Sequence, residues 1–232
     1  MSITLKVVLL GESGVGKTSI INQFTSGIFI QETVASISAQ FITKEMYFKD
    51  LNQTIKFEIW DTAGQEKYRS IAKIFYKNAK IIFLCYDITN YDSFIELKNY
   101  WYEQQIKIHA DSNAILAIVA NKNDLYEEQK VKDEEGISFA KEIDAIFQST
   151  SAKSDSGIST LFNNVGLKYL KTNFDFYKVE DEKKSEYEQK KNEIEQKKQD
   201  SIPGNRGINL KKHGTKKGKN NKNNKDKKKQ FC

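Results

Sequence analysis

Nine residues near the amino terminus, GESGVGKTS (11–19), have the types and spacing that grip phosphate. They satisfy G-x-x-x-x-G-K-[ST] and directly follow the apolar run LKVVLL (5–10). Gly11, Gly14 and Gly16, with Ser13 and Val15 between them, let the backbone bend until its N–H groups converge on phosphate oxygens. A helix beginning near Lys17 adds its positive dipole end. Lys17 can reach the β- and γ-phosphates, and the Thr18 hydroxyl, next to Ser19, can ligate Mg2+. A plain glycine turn between strand and helix is the blander reading, which the complete motif in its strand–loop–helix context outweighs. The stretch specifies a nucleoside triphosphate but not its base.

Three later stretches bear on base and metal. Asn121-Lys122-Asn123-Asp124 follows the apolar run ILAIVA, at the strand end where open α/β sheets bind ligands. An aspartate there can accept from both the ring N–H and the exocyclic amine of guanine. Adenine offers no such donor pair and would leave the carboxylate unsatisfied. NKND alone is a common turn composition; about a hundred residues after a phosphate loop it points to guanine. WDTAGQE (60–66) puts Asp61 at the end of a strand, placed to hold Mg2+. Gly64 offers a backbone N–H to the γ-phosphate, and Gln65 can orient an attacking water. Thr150-Ser151-Ala152-Lys153 can supply a backbone N–H to the guanine oxygen.

Positioning these groups requires a sheet. Strand patterns occur at 5–10, 40–48, 55–60, 80–87, 115–121 and 146–150, several of them continuously apolar, as strands covered on both faces are. Helical patterns fall between them, at GKTSIINQF, 67–78, 91–108, 133–143 and 157–171. In the third, Phe94, Leu97, Trp101 and Ile108 fall near one stripe. This alternation predicts an α/β fold of three layers with a mostly parallel six-stranded sheet, and QFITKEMYFKDLNQTIKFEIW predicts one antiparallel hairpin strand.

A chain of 232 residues suits one such domain plus an appendage. The expected domain covers 1–172. Residues 173–202 form a charged extension, open to a lone solvated helix, and 203–232 a low-complexity Lys/Asn tail expected to be disordered. That tail has ten Lys and one Arg against one Asp, a balance of +10. The chain total of +6 therefore leaves −4 for residues 1–202. A mildly acidic fold with a basic arm argues against a globular nucleic-acid binder and for an arm that meets an anionic surface. Two cysteines, Cys85 in an apolar run and Cys232 at the end, make no disulfide framework and fit a reducing cytosol. The opening apolar run is too short for a signal sequence, and no apolar run is long enough to span a bilayer.

GESGVGKTS, WDTAGQE, NKND and TSAK, in this order and spacing, resemble the Ras-like small GTPases across residues 1 to about 172. KFEIW (56–60), KYRSIA (67–72), FYKNA (75–79) and LCYDIT (84–89) resemble the segments that mark Rabs, and KFEIWDTAGQE and YDITN are similar to those of endosomal Rabs. The resemblance implies a P-loop G domain that binds GTP and GDP with Mg2+ and hydrolyses GTP slowly. Gln65, Lys17 and Gly64 would take part in catalysis, and Thr18, Ser36 and Asp61 would hold the metal. The nucleotide would be bound by Gly11, Ser13, Gly14, Val15, Gly16, Lys17, Thr18, Ser19, Phe29, Ser36, Asp61, Gly64, Asn121, Lys122, Asp124, Ser151, Ala152 and Lys153. Phe29 stands where the family stacks a ring on guanine; a staple closing the first helix is the other reading.

VASISAQF (34–41) takes the place of switch I. Ser36 is nineteen positions after Lys17, where the family has threonine, and Ser38 replaces a glycine; Thr33 is out of register. Serine can ligate Mg2+ as threonine does, but without the methyl group that restricts χ1. The small Ser13 leaves Gln65 room, and an arginine supplied by a GTPase-activating protein would accelerate hydrolysis. Further expected partners are an exchange factor, effectors and a GDI-like carrier, with the chain itself a monomer. Rabs usually end in two cysteines; here QFC offers Cys232 alone for a prenyl group, against the alternative of a free thiol. The lysines before it would attract an anionic leaflet or merely solubilise the chain. This places the protein on the cytosolic face of an intracellular membrane, as a regulator of vesicle traffic. A nucleotide-bound interaction module that scarcely hydrolyses GTP is the alternative that Ser36 and Ser38 raise. A small-molecule kinase would leave NKND and DTAGQE without a task.

Overall fold

The apolar runs pair into a six-stranded sheet, described here from a computed structural model that covers residues 2–31, 40–61, 75–171 and the single positions 177, 185 and 191. The strands are β1 (Ser2–Leu10), β2 (Gln40–Phe48), β3 (Gln53–Asp61), β4 (Ile81–Asp87), β5 (Ile115–Asn121) and β6 (Ile146–Ser149), in the order β2-β3-β1-β4-β5-β6. β2 runs antiparallel to β3 through the tight connection at Lys49–Leu51, and every other neighbouring pair is parallel. This is the predicted mostly parallel α/β sheet with one hairpin strand. All seven residues of β4 are buried, which explains its unbroken apolar sequence.

Helices cover both faces. α1 (Lys17–Ser26) and α4 (Ile158–Leu170) enclose one core with the odd residues Leu5, Val7 and Leu9 of β1, where Phe162 stacks on Phe24 at 3.5 Å between ring centroids. The opposite core takes Val8 and Leu10 of β1 together with Phe94, Leu97, Trp101 and Phe139. These come from α2 (Tyr91–Glu96), the π-helix Leu97–Ile106 that continues it, and α3 (Asp133–Glu142). The period-two alternation of β1 thus divides its side chains between two cores.

One expected stripe is corrected. Phe94, Leu97 and Trp101 face the core, but Ile108 is 65% exposed and Ile106 is buried in its place. The cause is the π-helix: its i→i+5 bonding widens the turn, so the inner face passes from Trp101 to Ile106 rather than to an α-helical position further on.

The fold belongs to a compact unit spanning Met1–Lys183, in which Tyr177 donates to the Ala145 carbonyl at 2.8 Å. The unit Lys184–Cys232 contributes only Ser185 and Lys191, both helical and exposed. Among the described residues no helix is long and apolar enough to cross a membrane. Segments 32–39 and 62–74, with Thr33, Ser36, Ser38, Gly64 and Gln65, and the terminal stretch with Cys232 lie outside the described residues.

Candidate nucleotide-binding site

Parallel strands send their carboxyl ends to one edge of the sheet, and the loop after β1 bends there in a way only glycine accepts. Gly11 has φ 142°, and a Cβ on it would lie 2.2 Å from the Cys85 carbonyl oxygen, so the loop rests directly on the β4 backbone. Gly16, the N-cap of α1, has φ 95° and would drive a Cβ to 2.3 Å from the Asn121 side-chain amide.

Lys17 is 5% exposed, and its ammonium donates to the carbonyls of Gly11 at 2.9 Å and Glu12 at 2.8 Å. Burial pushes its pKa down, while the negative Asp61 and Glu12 work the other way. The loop carbonyls thereby hold the ammonium against the turn. Thr18 donates to the Asp61 carboxylate at 2.6 Å, joining the start of α1 to the end of β3. A hydroxyl beside a buried carboxylate is the hard-oxygen set that suits Mg2+, which takes one or two carboxylates and fills its other positions with water and phosphate. Ser13 is exposed and Ser19 buried.

The other end of the site is tied to this loop by one side chain. The Asn121 amide donates to the Val15 carbonyl at 2.8 Å, and its oxygen accepts from the Thr150 hydroxyl at 3.1 Å. Asn121 is 1% exposed. It thus fastens the loops after β1, β5 and β6 together. Ser151 donates to the Asp124 carboxylate at 2.6 Å and in turn accepts from the Ser154 backbone N–H at 3.0 Å. Lys122, in the left-handed region at φ 67°, pairs with Asp87 at 2.6 Å. Asp87 also accepts from the backbone N–H and the hydroxyl of Thr89, each at 2.8 Å. Ala152 is buried and Lys153 exposed. Phe29 is half-buried against the core of α1 and α4.

The structure therefore brings together the phosphate loop, Thr18, Asp61, Asn121, Lys122, Asp124 and Ser151. Sequence reasoning missed Asp87 as the partner of Lys122; its place at the carboxyl end of β4, opposite Asn121 in the sheet register, is the signal that could have found it. It also missed an aromatic row. Trp60 has Phe41 at 5.1 Å and Phe75 at 6.2 Å between centroids, with the Lys6 ammonium 5.1 Å from its ring. Phe41 is 51% exposed, unusual for a phenylalanine on an edge strand.

Comparison with known proteins agrees with this geometry. The sequence profile of the Ras family matches residues 6–171. The Ras-related protein Rab5A of Oryza sativa subsp. japonica is 37% identical over 165 residues, which cover 71% of this chain and 79% of that protein.

Proposed function

This chain belongs to the Ras family and is a Rab-type small GTPase, and from that premise we propose that it is a membrane-traffic switch that binds GTP and GDP and hydrolyses GTP slowly. The observation that supports the reading is the Asn121 bridge, which ties the Val15 carbonyl to Thr150, whose neighbour Ser151 donates to Asp124. The backbone amides of residues 13–18 and Lys17 would bind the phosphates, while Asp124 accepts from guanine and the Ala152 amide donates to its oxygen. Lys122 would pack along the base, steadied by Asp87, with Phe29 beside it. Thr18 and Asp61, completed by Ser36, would hold Mg2+, which would neutralise charge on the phosphates. Gln65 would orient the attacking water and the Gly64 amide would bind the γ-phosphate; an activating protein's arginine would supply about 10³–10⁵ in rate.

With GTP bound, Ser36 and Gln65 would then complete an effector surface around Phe41, Trp60 and Phe75, where the exposed Phe41 ring beside two half-buried ones suits an apolar partner. The basic tail, with a prenyl group on Cys232, would hold the protein on the cytosolic face of an endosomal-type membrane, and a GDI-like carrier and an exchange factor would complete the cycle.

Single-turnover GTP hydrolysis tests this. The expected outcome is slow hydrolysis by the wild-type chain that Gln65→Leu lowers by at least about tenfold, the loss of a water-positioning group. Tight GTP binding with an equally negligible rate in both would instead support the interaction module.

A further inference from the structure

Asp87 ends β4 opposite Asn121 of β5, and Lys122 follows Asn121, so strand register brings the two charges to one edge of the sheet. They meet at 2.6 Å, with the Asp87 side chain 10% exposed and that of Lys122 33%. A pair set this far out of water is screened less than one on the open surface. Both carboxylate oxygens are engaged. Oδ2 meets the ammonium, while Oδ1 accepts from the backbone N–H and the hydroxyl of Thr89. The main chain of Asp87 is held as well: its N–H donates to the Ser93 hydroxyl at 3.1 Å, and its carbonyl accepts from the Asn90 N–H at 3.0 Å.

The turn itself does not call for an anion. An asparagine carbonyl could accept both Thr89 bonds. The charge of Asp87 is therefore addressed to Lys122. Asp124 stands two positions further on, with its carboxylate accepting from Ser151 at 2.6 Å. Of these three charges, Lys122 and Asp87 cancel, which leaves the carboxylate of Asp124. A base that carries negative charge meets net repulsion from the three, and a neutral base does not.

We propose that Asp87 is a specificity-determining residue: by cancelling the Lys122 charge it makes the site take a neutral oxopurine and turn away an anionic one. This rests on the reading of the site as a guanine-nucleotide site with Lys122 along the base. Xanthine is the relevant competitor. It has a carbonyl where guanine has its exocyclic amine, and it sheds a ring proton more readily, so XDP presents an anionic base at neutral pH. The bases of GDP and IDP are neutral. Asp124 thus discriminates through hydrogen bonds to the amine, and Asp87 adds discrimination by charge.

The test is competition of XDP, IDP and GDP against a fluorescent GDP analogue on the full-length chain, with Mg2+ at neutral pH. Asp87→Asn keeps the carbonyl that Thr89 needs and removes the charge, and it is expected to raise the XDP-to-GDP affinity ratio about tenfold. The IDP-to-GDP ratio should stay within about twofold, because neither base is charged. A site that had merely loosened would move IDP as well, whereas a change of charge moves XDP alone. Adding Lys122→Gln restores the native sum of charges and should bring the XDP ratio back to within about twofold of wild type. Asp124 opposes XDP in every variant and cancels from the comparison. XDP that competes no better on Asp87→Asn than on wild type overturns the proposal. So does a double variant that keeps the gain, since the effect would then not run through the Lys122 charge. If Asp87→Asn does not fold, Lys122→Gln alone decides: with Asp87 left unbalanced the XDP ratio should fall about tenfold, and an unchanged or higher ratio overturns the proposal. A wild-type chain that binds no guanine nucleotide removes the site reading and the proposal together, whereas GDP binding with an unresponsive XDP ratio removes the proposal alone.

Discussion

The two ends of the site are built from different material. At the phosphate end the work is done largely by main chain: a loop of positive-φ glycines, two carbonyls on the Lys17 ammonium, and the first turn of α1, all within a few residues. At the proposed guanine end it is done by side chains that meet across loops, Asn121 with Thr150, Asp124 with Ser151 and Lys122 with Asp87. A main-chain cradle is intolerant of an added Cβ but indifferent to many side-chain changes. A side-chain frame has the opposite sensitivity, because each polar atom removed takes a partner from another group, at greatest cost where that group is buried. The Thr18–Asp61 contact is the exception at the phosphate end, and it is also where a bound Mg2+ would require side-chain oxygen.

Asn121 is the point at which this division can be broken. Asn121→Ala deprives both the Val15 carbonyl and the Thr150 hydroxyl of a buried partner, about 4 kcal/mol together, so GDP affinity measured by fluorescence titration should fall about a thousandfold. A loss of tenfold or less would mean that the two ends hold their places independently. Gly16→Ala probes the cradle. It combines φ 95° with a Cβ 2.3 Å from an Asn121 amide that is itself pinned on both sides. A strain of about 2 kcal/mol should weaken GDP binding about thirtyfold, read in the same titration. Ser151→Ala probes the frame with the smallest expected effect, about 1 kcal/mol or fivefold, because Asp124 stays near solvent and keeps water as a substitute partner. It should also narrow discrimination between GDP and IDP, whose base lacks the exocyclic amine. If Ser151→Ala cost as much as Gly16→Ala, the contrast between cradle and frame would disappear.

The phosphate end was legible in the sequence because a cradle made of consecutive residues writes its requirements in consecutive letters: GESGVGKTS fixes where glycine, lysine and hydroxyl must stand. The guanine end was legible in its members but not in their pairing. Asn121 and Asp124 could be picked out, but not that Asn121 spends its amide on Val15, 106 positions away, or that Asp87 steadies Lys122. The same holds for Trp101 and Ile108. Their shared stripe assumed α-helical spacing, and the π-helix that moved the inner face to Ile106 depends on how that segment packs.

By itself, then, the sequence determined the strand and helix order, the parallel sheet with its antiparallel hairpin and the place of the glycine-rich loop, because periods of two and of about 3.6 and a nine-residue motif are local properties of a chain. Tertiary structure alone decided which remote side chains close on one another: Thr18 with Asp61, Asn121 with Val15 and Thr150, and Trp101 with Glu12. Those pairings depend on the register of strands and the pitch of one helix, and a hydrogen bond between segments far apart in sequence leaves no periodic trace in either of them.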